Sequence, residues 1–229
     1  MKDPRTAASS FPHSGSSVKP TTKPLKTLVV LGSGGHTTEM LYLIQNLNPD
    51  HYSPIVLTVA TTDTTSIKRV SAHPHVLPIQ DKENLEENSS SSSHNGQRVY
   101  RIPRSREVGQ SYWSSILTTL YSFVFAFWLV GFQVQPDLIL ANGPGTCLPI
   151  AFSAFFFRIV GWKPRTRIIF VESFCRVKSL SLTGKLIYPI ADLFAVCWQQ
   201  LHEKYPLTYL VTSFVPKTEN VNKSYTKDE

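Results

Sequence analysis

Short apolar runs alternate along this chain with segments whose apolar residues recur at helical spacing. The first run, Leu28–Leu31, precedes a glycine-rich turn. Beyond the turn, apolar residues return every three or four positions, at Met40, Leu43, Ile44 and Leu47. The pattern predicts a buried strand, a tight turn and a helix that begins near His36.

The same alternation continues through the rest of the chain. Further strands are predicted at Ile55–Ala60, Asp137–Ala141, Arg167–Val171 and Leu193–Cys197, and helices at Leu148–Val160 and Lys178–Tyr188. Strands that alternate with helices predict an α/β fold, a Rossmann-like parallel sheet with helices on both faces. A second glycine turn, Asn142–Thr146, and the pair Glu172–Ser173 each follow a strand directly. These segments are therefore expected near the first turn, at the carboxyl edge where open sheets bind ligands.

Polar segments interrupt or flank this alternation. Residues 1–26 are predicted to be a disordered leader and residues 216–229 a polar tail, which leaves one domain over 27–215. The acidic and serine-rich residues 81–97 are predicted to form a surface loop. Ser66–Ser71 has the character of a short polar, basic segment.

One segment, Ile116–Phe132, contains no charged residue. Three interpretations stay open for it: a buried crossover helix, a helix with one face in the membrane interface, and a true membrane span. Four arginines precede it, and they form either a solvated loop or a contact with phosphate or anionic headgroups. The predicted membrane contacts are Arg98, Arg101, Arg104, Arg106, Phe123, Phe127 and Trp128.

Charge and cysteine usage narrow the class of partner. A formal charge of +7 and a pI near 9.3 favour an acidic partner such as phosphate, anionic lipid or nucleic acid. Nucleic acid ranks last, since no zinc finger, RNP motif or aromatic-basic repeat is present. Cys147, Cys175 and Cys197 lack metal spacing and are interpreted as reduced core thiols.

The first glycine turn has the form of an anion site, because a strand, a glycine turn and a helix N-terminus together present free N–H groups. It matches neither common nucleotide motif. Thr37 stands where the dinucleotide fingerprint has its third glycine, Asp63 comes later than the ribose-binding acid, and no Walker lysine is present. Local chemistry leaves open phosphate binding and a tight turn without a ligand.

Four motifs carry a resemblance that covers about Leu25 to Tyr209. They read LGSGGHTTEM, PDLILANGPGTC, FVESFCRVKSLSLTGKLIYPIADLF and WQQLHEKYP. In this order they closely resemble the asparagine-linked-glycosylation protein 14 family. The resemblance implies the N-terminal, acceptor-side half of a GT-B glycosyltransferase, similar to bacterial MurG. It also implies a separate donor-binding catalytic partner, asparagine-linked-glycosylation protein 13.

By the same resemblance, the two subunits would add the second N-acetylglucosamine to dolichyl-diphospho-GlcNAc, with UDP-N-acetylglucosamine as donor. The reaction would take place at the cytosolic face of the endoplasmic reticulum membrane, with the nuclear envelope as a further location. The subunit would be inactive alone and would recruit its partner to membrane lipid. No cofactor, metal or nucleic acid is expected.

Site residues follow from matching these motifs position by position. His36 and Glu172 are the predicted catalytic residues. The predicted acceptor-diphosphate contacts are Gly32, Ser33, Gly34, Gly35, Thr37, Asn142, Gly143, Gly145, Ser173, Arg176 and Lys178. For His36, a general base, a phosphate contact and a local structural role stay open. For Glu172, capping of the next segment and orientation of the acceptor or of a catalytic histidine stay open.

The chain departs from the family at both ends. Met1–Lys26 is polar where the family usually has a membrane span, and the end after Tyr209 lacks the usual glycine-containing close. Two other functions are carried forward: a pure membrane scaffold for a complete catalytic partner, and a self-sufficient Rossmann enzyme that uses a nicotinamide cofactor.

Overall fold

A computed structural model describes residues 23–72, 92–94, 97–104, 112–143 and 145–211. The strands are β1 Thr27–Val30, β2 Ile55–Ala60, β3 Ser92–His94, β4 Gln97–Ile102, β5 Leu138–Asn142, β6 Arg167–Val171, β7 Leu193–Val196 and β8 Tyr209–Leu210. The helices are α1 Gly35–Ile44, α2 Thr64–Ser71, α3 Tyr112–Trp128, α4 Cys147–Ile159, α5 Leu182–Ile187 and α6 Gln199–Lys204. A π-helical stretch, Leu129–Val134, continues α3.

These strands form one sheet in the order β3-β4-β2-β1-β5-β6-β7-β8. Only β3 and β4 pair in antiparallel fashion among the described strands. β1 lies between β2 and β5, with Leu28 opposite Val56 on one side and Ile139 on the other. The strand order therefore reverses beside β1, and a crevice opens there at the carboxyl edge.

Alternate residues of β1 face two separate apolar cores. Val29 packs with α1 and α2 on one face, in a cluster that includes Met40 and Val70. Leu28 packs on the other face with Leu129 and Ile150, which belong to the π-helical stretch and to α4. Both faces of the sheet are thus covered, as a parallel sheet with fully buried strands requires.

Five predicted strands are present within about one residue of their expected limits. β2 and β6 begin and end at the predicted residues. Ser66–Ser71 is instead part of helix α2, whose start is fixed by Asp63. The Asp63 carboxylate accepts a hydrogen bond of 3.0 Å from the Ser66 N–H, an N-cap that favours a helix despite the polar composition.

The surface-loop prediction for 81–97 is wrong at Ser92–His94 and Gln97, which belong to strands. Backbone pairing along β4 and β2 overrides the local serine-rich composition, because β structure depends on neighbours more than on intrinsic propensity. Residues 81–91 and 95–96 lie outside the described part of the chain. So do residues 1–22 and 212–229, with most of the predicted leader and all of the predicted tail.

Two further expectations need correction. The predicted helix Lys178–Tyr188 begins only at Leu182, because the Ser181 side chain accepts a hydrogen bond from the Gly184 N–H and caps the helix there. Cys175 is exposed rather than in the core, because it lies in the irregular loop after β6, whereas Cys147 and Cys197 are buried.

Helix α3 and the π-helical stretch bury one side and expose an apolar side. Ser122, Ala126 and Leu129 are fully buried against the domain. Leu117–Val134 is apolar and long enough to cross a membrane, and 33% of it is buried. The segment therefore belongs to the crossover layer of the fold and presents a second apolar face to the outside.

Candidate functional site

A cleft of about 600 Å³ opens at the carboxyl edge of β1, β5 and β6. Its walls come from the start of α1, the second glycine turn and the loop between β6 and α5. The lining residues are Gly35, His36, Glu39, Gly143, Gly145, Glu172, Ser173, Cys175, Arg176, Ser181, Leu182 and Thr183. The topology therefore brings both glycine turns and Glu172–Ser173 together, as the sequence predicts.

A hydrogen-bonded network crosses the floor of this cleft. His36 and Glu39 lie three residues apart on the first turns of α1 and share one face of the helix. His36 Nδ1 is 2.8 Å from Asn142 Oδ1, and Asn142 Nδ2 donates to Glu39 Oε2 at 2.9 Å. Ser173 Oγ donates to Glu39 Oε1 at 3.1 Å. The network ties α1 to the ends of β5 and β6.

The network also shifts the protonation of its two ionisable groups. A hydrogen bond to Glu39 raises the pKa of His36 above its ordinary value of 6.5, against the lowering effect of burial, and Asn142 and Glu172 add to the rise. Burial by itself would raise the pKa of Glu39, but the hydrogen bonds from His36 and Asn142 outweigh it and lower that pKa. His36 is thus a stronger base than a free histidine.

The imidazole ring of His36 packs directly against the backbone of Gly143. Its φ of 77° lies in the left-handed region, and a Cβ at this position would overlap the imidazole of His36. The second glycine turn is therefore needed both for its backbone conformation and for the room that it leaves beside the ring.

Glu172 is enclosed by the loop that follows it. Only 1% of the residue is exposed, and one carboxylate oxygen accepts from the Ser173 N–H at 3.1 Å. The other accepts from the N–H of Ser181 at 2.9 Å and from its hydroxyl at 3.1 Å. These bonds fit the capping role, in which a carboxylate fixes the shape of the loop between β6 and α5.

Two arginines flank the first glycine turn. Arg69 of α2 donates to the Gly34 carbonyl at 2.6 Å, and Arg104 donates to the Ser33 hydroxyl at 3.0 Å. The N-cap residue of α1 is Gly34, which has no side chain with which to cap the helix. Thr37 is buried and its hydroxyl donates to the Gly32 carbonyl, so that it braces the turn from behind.

The predicted site residues thus fall into three groups. His36, Gly35, Gly143, Gly145, Glu172, Ser173 and Arg176 line the cleft; Gly32, Ser33, Gly34, Thr37 and Asn142 support it; Lys178 is exposed and does not line it. Sequence reasoning missed Glu39 and Arg69. A carboxylate three residues after His36 on a helix was the available signal for Glu39.

The predicted membrane residues are spread over several surfaces. Phe123 and Phe127 are half-buried and contact phenylalanines of α4, and Trp128 is 43% exposed. The face that α3 exposes is broader than predicted, and it continues at the end of α4. Its exposed apolar residues are Leu117, Leu120, Tyr121, Val124, Trp128, Phe132, Phe156, Ile159, Val160 and Trp162. We call this set the α3–α4 apolar face.

The arginines of this prediction also separate. Arg101 is exposed on β4, whereas Arg104 contacts the glycine turn. The side chain of Arg98 and all of Arg106 lie outside what the structure describes.

Comparison with known proteins decides the family. Residues 27–214 match the family described as "Oligosaccharide biosynthesis protein Alg14 like". The chain belongs to this Alg14-like family. It is 46% identical over 182 residues to the rat UDP-N-acetylglucosamine transferase subunit ALG14, across 80% of this chain and 79% of the rat protein. The human protein of that name is 43% identical over the same shares, and the Yarrowia lipolytica protein is 39% identical over 79% of this chain and 77% of its own.

Solved structures support the fold of this Alg14-like chain. The Acinetobacter baumannii MurG structure aligns with a TM-score of 0.51 at 13% identity, over 77% of this chain and 43% of MurG. A UDP-N-acetylglucosamine 2-epimerase aligns with a TM-score of 0.52 at 15% identity, over 82% of this chain and 46% of the epimerase. The chain spans less than half of each. The predicted Rossmann-like half of a GT-B fold is confirmed.

Proposed function

We propose that this Alg14-like chain is the acceptor-side subunit of a UDP-N-acetylglucosamine transferase that adds the second GlcNAc to dolichyl-diphospho-GlcNAc. Relatives at 46% and 43% identity are named as a UDP-N-acetylglucosamine transferase subunit, which supports the transferase part of the proposal. The observation that carries the proposal is the position of His36, whose pKa is raised beside Glu39 in a cleft at the carboxyl edge of the sheet.

The proposed chemistry is a single displacement with inversion. The acceptor 4-hydroxyl oxygen forms a bond to C1 of the donor GlcNAc, and the bond from C1 to the UDP oxygen breaks. His36 takes the hydroxyl proton as the new bond forms, and UDP leaves with the bonding electron pair. A base with a pKa near cytosolic pH suits this transfer best.

The acceptor diphosphate would bind at the first glycine turn. The N-cap residue Gly34 has no side chain with which to cap the first N–H groups of α1. The positive end of the helix dipole at this position favours an anion. Arg69 and Arg104 already hydrogen-bond to this turn and would add positive charge beside the diphosphate. We expect Gly35, Gly143, Gly145 and Arg176 to complete the contacts, since they line the same cleft.

The donor sugar nucleotide would be bound by a second subunit. The described residues form one Rossmann-like sheet, and the relatives are named as subunits. We propose asparagine-linked-glycosylation protein 13 as that partner, and we expect no transfer by this chain alone. The partner would be held at the cytosolic face of the endoplasmic reticulum membrane.

The α3–α4 apolar face would lie in that membrane, parallel to its surface. Leu120 and Val124 are 61% and 63% exposed, one helical turn apart. The opposite side of the same helix is buried on the sheet, which fits an interfacial helix. Replacing both residues with glutamine should weaken sedimentation with vesicles of phosphatidylcholine and phosphatidylserine. Leu207→Gln is the control, since Leu207 is 78% exposed outside this face. Equal sedimentation of all three proteins would contradict the membrane role.

Reconstitution tests the function itself. The purified chain, the donor-side partner and their mixture are each assayed with UDP-GlcNAc and a polyprenyl-diphospho-GlcNAc acceptor. Only the mixture should transfer. A chain that is active alone would contradict the proposal. Full activity of the mixture with His36→Ala and Gly143→Ala variants would instead favour the scaffold function.

A further inference from the structure

We propose that Glu39 is a positioning residue that acts through Asn142 to fix the tautomer of His36, with Nε2 left as the nitrogen that accepts the acceptor's proton. This inference rests on the proposed function for its catalytic consequence. The tautomer itself follows from the hydrogen bonds of this chain alone.

The first step is the anchoring of Glu39. Its Oε1 accepts hydrogen bonds from the Ser173 hydroxyl at 3.1 Å and from the Phe174 N–H at 3.3 Å. A carboxylate can only accept, and the backbone N–H of Phe174 can only donate. The loop after β6 therefore holds one oxygen of Glu39 and directs the other toward Asn142.

The second step is the orientation of the Asn142 amide. Glu39 Oε2 lies 2.9 Å from Asn142 Nδ2, so the NH₂ group of the amide faces the carboxylate. The amide oxygen then faces His36 Nδ1 at 2.8 Å. Because this oxygen can only accept, Nδ1 must carry the hydrogen. In the neutral ring Nε2 is left with the lone pair, which a general base requires.

The third step is electrostatic. Glu39 Oε2 is 3.5 Å from His36 Nδ1 and stabilises the imidazolium that forms when Nε2 takes a proton. Glu172 at the end of β6 adds to the rise in the pKa of His36. The other titratable side chains that line this cleft are Arg176 and Cys175, in the loop after β6, whereas Glu39 lies on α1, the helix that carries His36.

Glu39→Gln should invert this arrangement without changing the volume of the side chain. The Phe174 N–H still needs an acceptor, so the Gln oxygen takes that place and its NH₂ faces Asn142. Asn142 must then turn its oxygen toward the glutamine and its NH₂ toward His36. Nδ1 becomes the acceptor, and the hydrogen moves to Nε2. In a serine protease, replacing the orienting carboxylate with an amide lowers kcat by up to about 10⁴-fold, because the histidine then adopts the wrong tautomer.

The rescue variant follows from the same geometry. In Glu39→Gln with Asn142→Asp, the Gln NH₂ donates to the new aspartate, whose second oxygen accepts from His36 Nδ1. The Nδ1–H tautomer is restored and the negative charge now lies beside the ring. A merely structural role for Glu39 does not predict this recovery.

Two readouts test the inference. The ¹⁵N chemical shifts of His36 in the full-length chain, without any partner, report which ring nitrogen carries the hydrogen. In the reconstituted transferase, Glu39→Gln should lower kcat by about 10²-fold or more, leave the acceptor KM within a few-fold, and move the acid limb of the pH–rate profile to lower pH. Glu203→Gln, an exposed carboxylate on α6, is the matched control and should behave as wild type.

The outcomes separate cleanly. Loss in Glu39→Gln and at least about 10-fold recovery in the double variant, with matching tautomers, supports the inference. A wild-type tautomer and turnover in Glu39→Gln, or a double variant no better than the single one, overturns it. If Glu39→Gln does not fold, the double variant decides alone. The Nδ1–H tautomer with turnover within about 10-fold of wild type then supports the inference, and the Nε2–H tautomer or a larger loss of turnover overturns it. A failed reconstitution with wild-type chain contradicts the proposed function but leaves the tautomer result intact.

Discussion

Two carboxylates line the same cleft, Glu39 from helix α1 and Glu172 from the end of β6, and their hydrogen-bond partners differ. Glu39 lies on the histidine side, where it bonds the Asn142 amide at the end of β5 and the Ser173 hydroxyl in the loop after β6, and it lies beside the titratable ring of His36. Glu172 lies on the loop side, where it bonds the Ser173 and Ser181 backbone within its own loop. We therefore expect the hydrogen-bond partners of a carboxylate, more than its place at the sheet edge, to distinguish a group that tunes the chemistry of His36 from one that fixes the shape of a loop.

The largest effect is expected on the histidine side. His36→Ala should lower turnover of the reconstituted transferase about 10²-fold or more if His36 is the base. His36→Asn should stay equally slow, because an amide cannot take the proton. Recovery of activity in His36→Asn, with a raised acceptor KM in His36→Ala, would show an anion contact in place of a base.

A smaller effect should come from the turn that holds the ring. Gly143→Ala introduces a methyl group that overlaps His36 and strains a left-handed residue, so turnover should fall about 10-fold to 10²-fold as the ring moves. Gly161→Ala is the matched control. It has a similar φ of 78° but no atom within 4 Å of the added Cβ. It should lose stability by about 1–2 kcal/mol with no loss of turnover, and equal turnover losses in the two variants would break the argument.

On the loop side, stability should change more than chemistry. Glu172→Gln places an amide NH₂ against the N–H groups of Ser173 or Ser181, which should cost about 1–3 kcal/mol in the free energy of unfolding. Turnover of the folded variant should change less than about 10-fold, since His36 keeps its partners. Urea unfolding and a pH–rate profile check this, and a shifted acid limb as large as that of Glu39→Gln would erase the contrast between the two carboxylates.

The smallest effect is the pH dependence of stability. The raised pKa of His36 stabilises the fold below pH 6.5, and this contribution is lost as pH rises through the folded value. The lowered pKa of Glu39 stabilises above pH 4.5, and this contribution is lost as pH falls through the folded value. Both act between these limits. For a partly exposed pair the gain is about 1 kcal/mol or less. Wild type should lose more stability than His36→Gln between pH 6 and 8, and parallel curves would contradict the coupling.

Sequence reasoning located the edge of the cleft but not its network. Buried strands such as β2 and β6 can be predicted from the sequence because turn residues bound their apolar runs. β4 was not predicted because its two arginines break the apolar pattern of a buried strand. Pairing with β2 stabilises the strand despite this polar composition. Glu39 was missed because its partners Asn142 and Ser173 lie more than 100 residues away, and only the sheet topology brings them together.

The central claim is that this chain supplies the acceptor side of the transferase, and equilibrium binding tests it most directly. The full chain is titrated calorimetrically with a GlcNAc-diphosphate that carries a short polyprenyl chain, and separately with UDP-GlcNAc. Wild type should bind the acceptor analogue, Gly143→Ala should bind it more weakly, and UDP-GlcNAc should give no saturable signal. Saturable binding of UDP-GlcNAc together with no binding of the acceptor analogue would contradict the account.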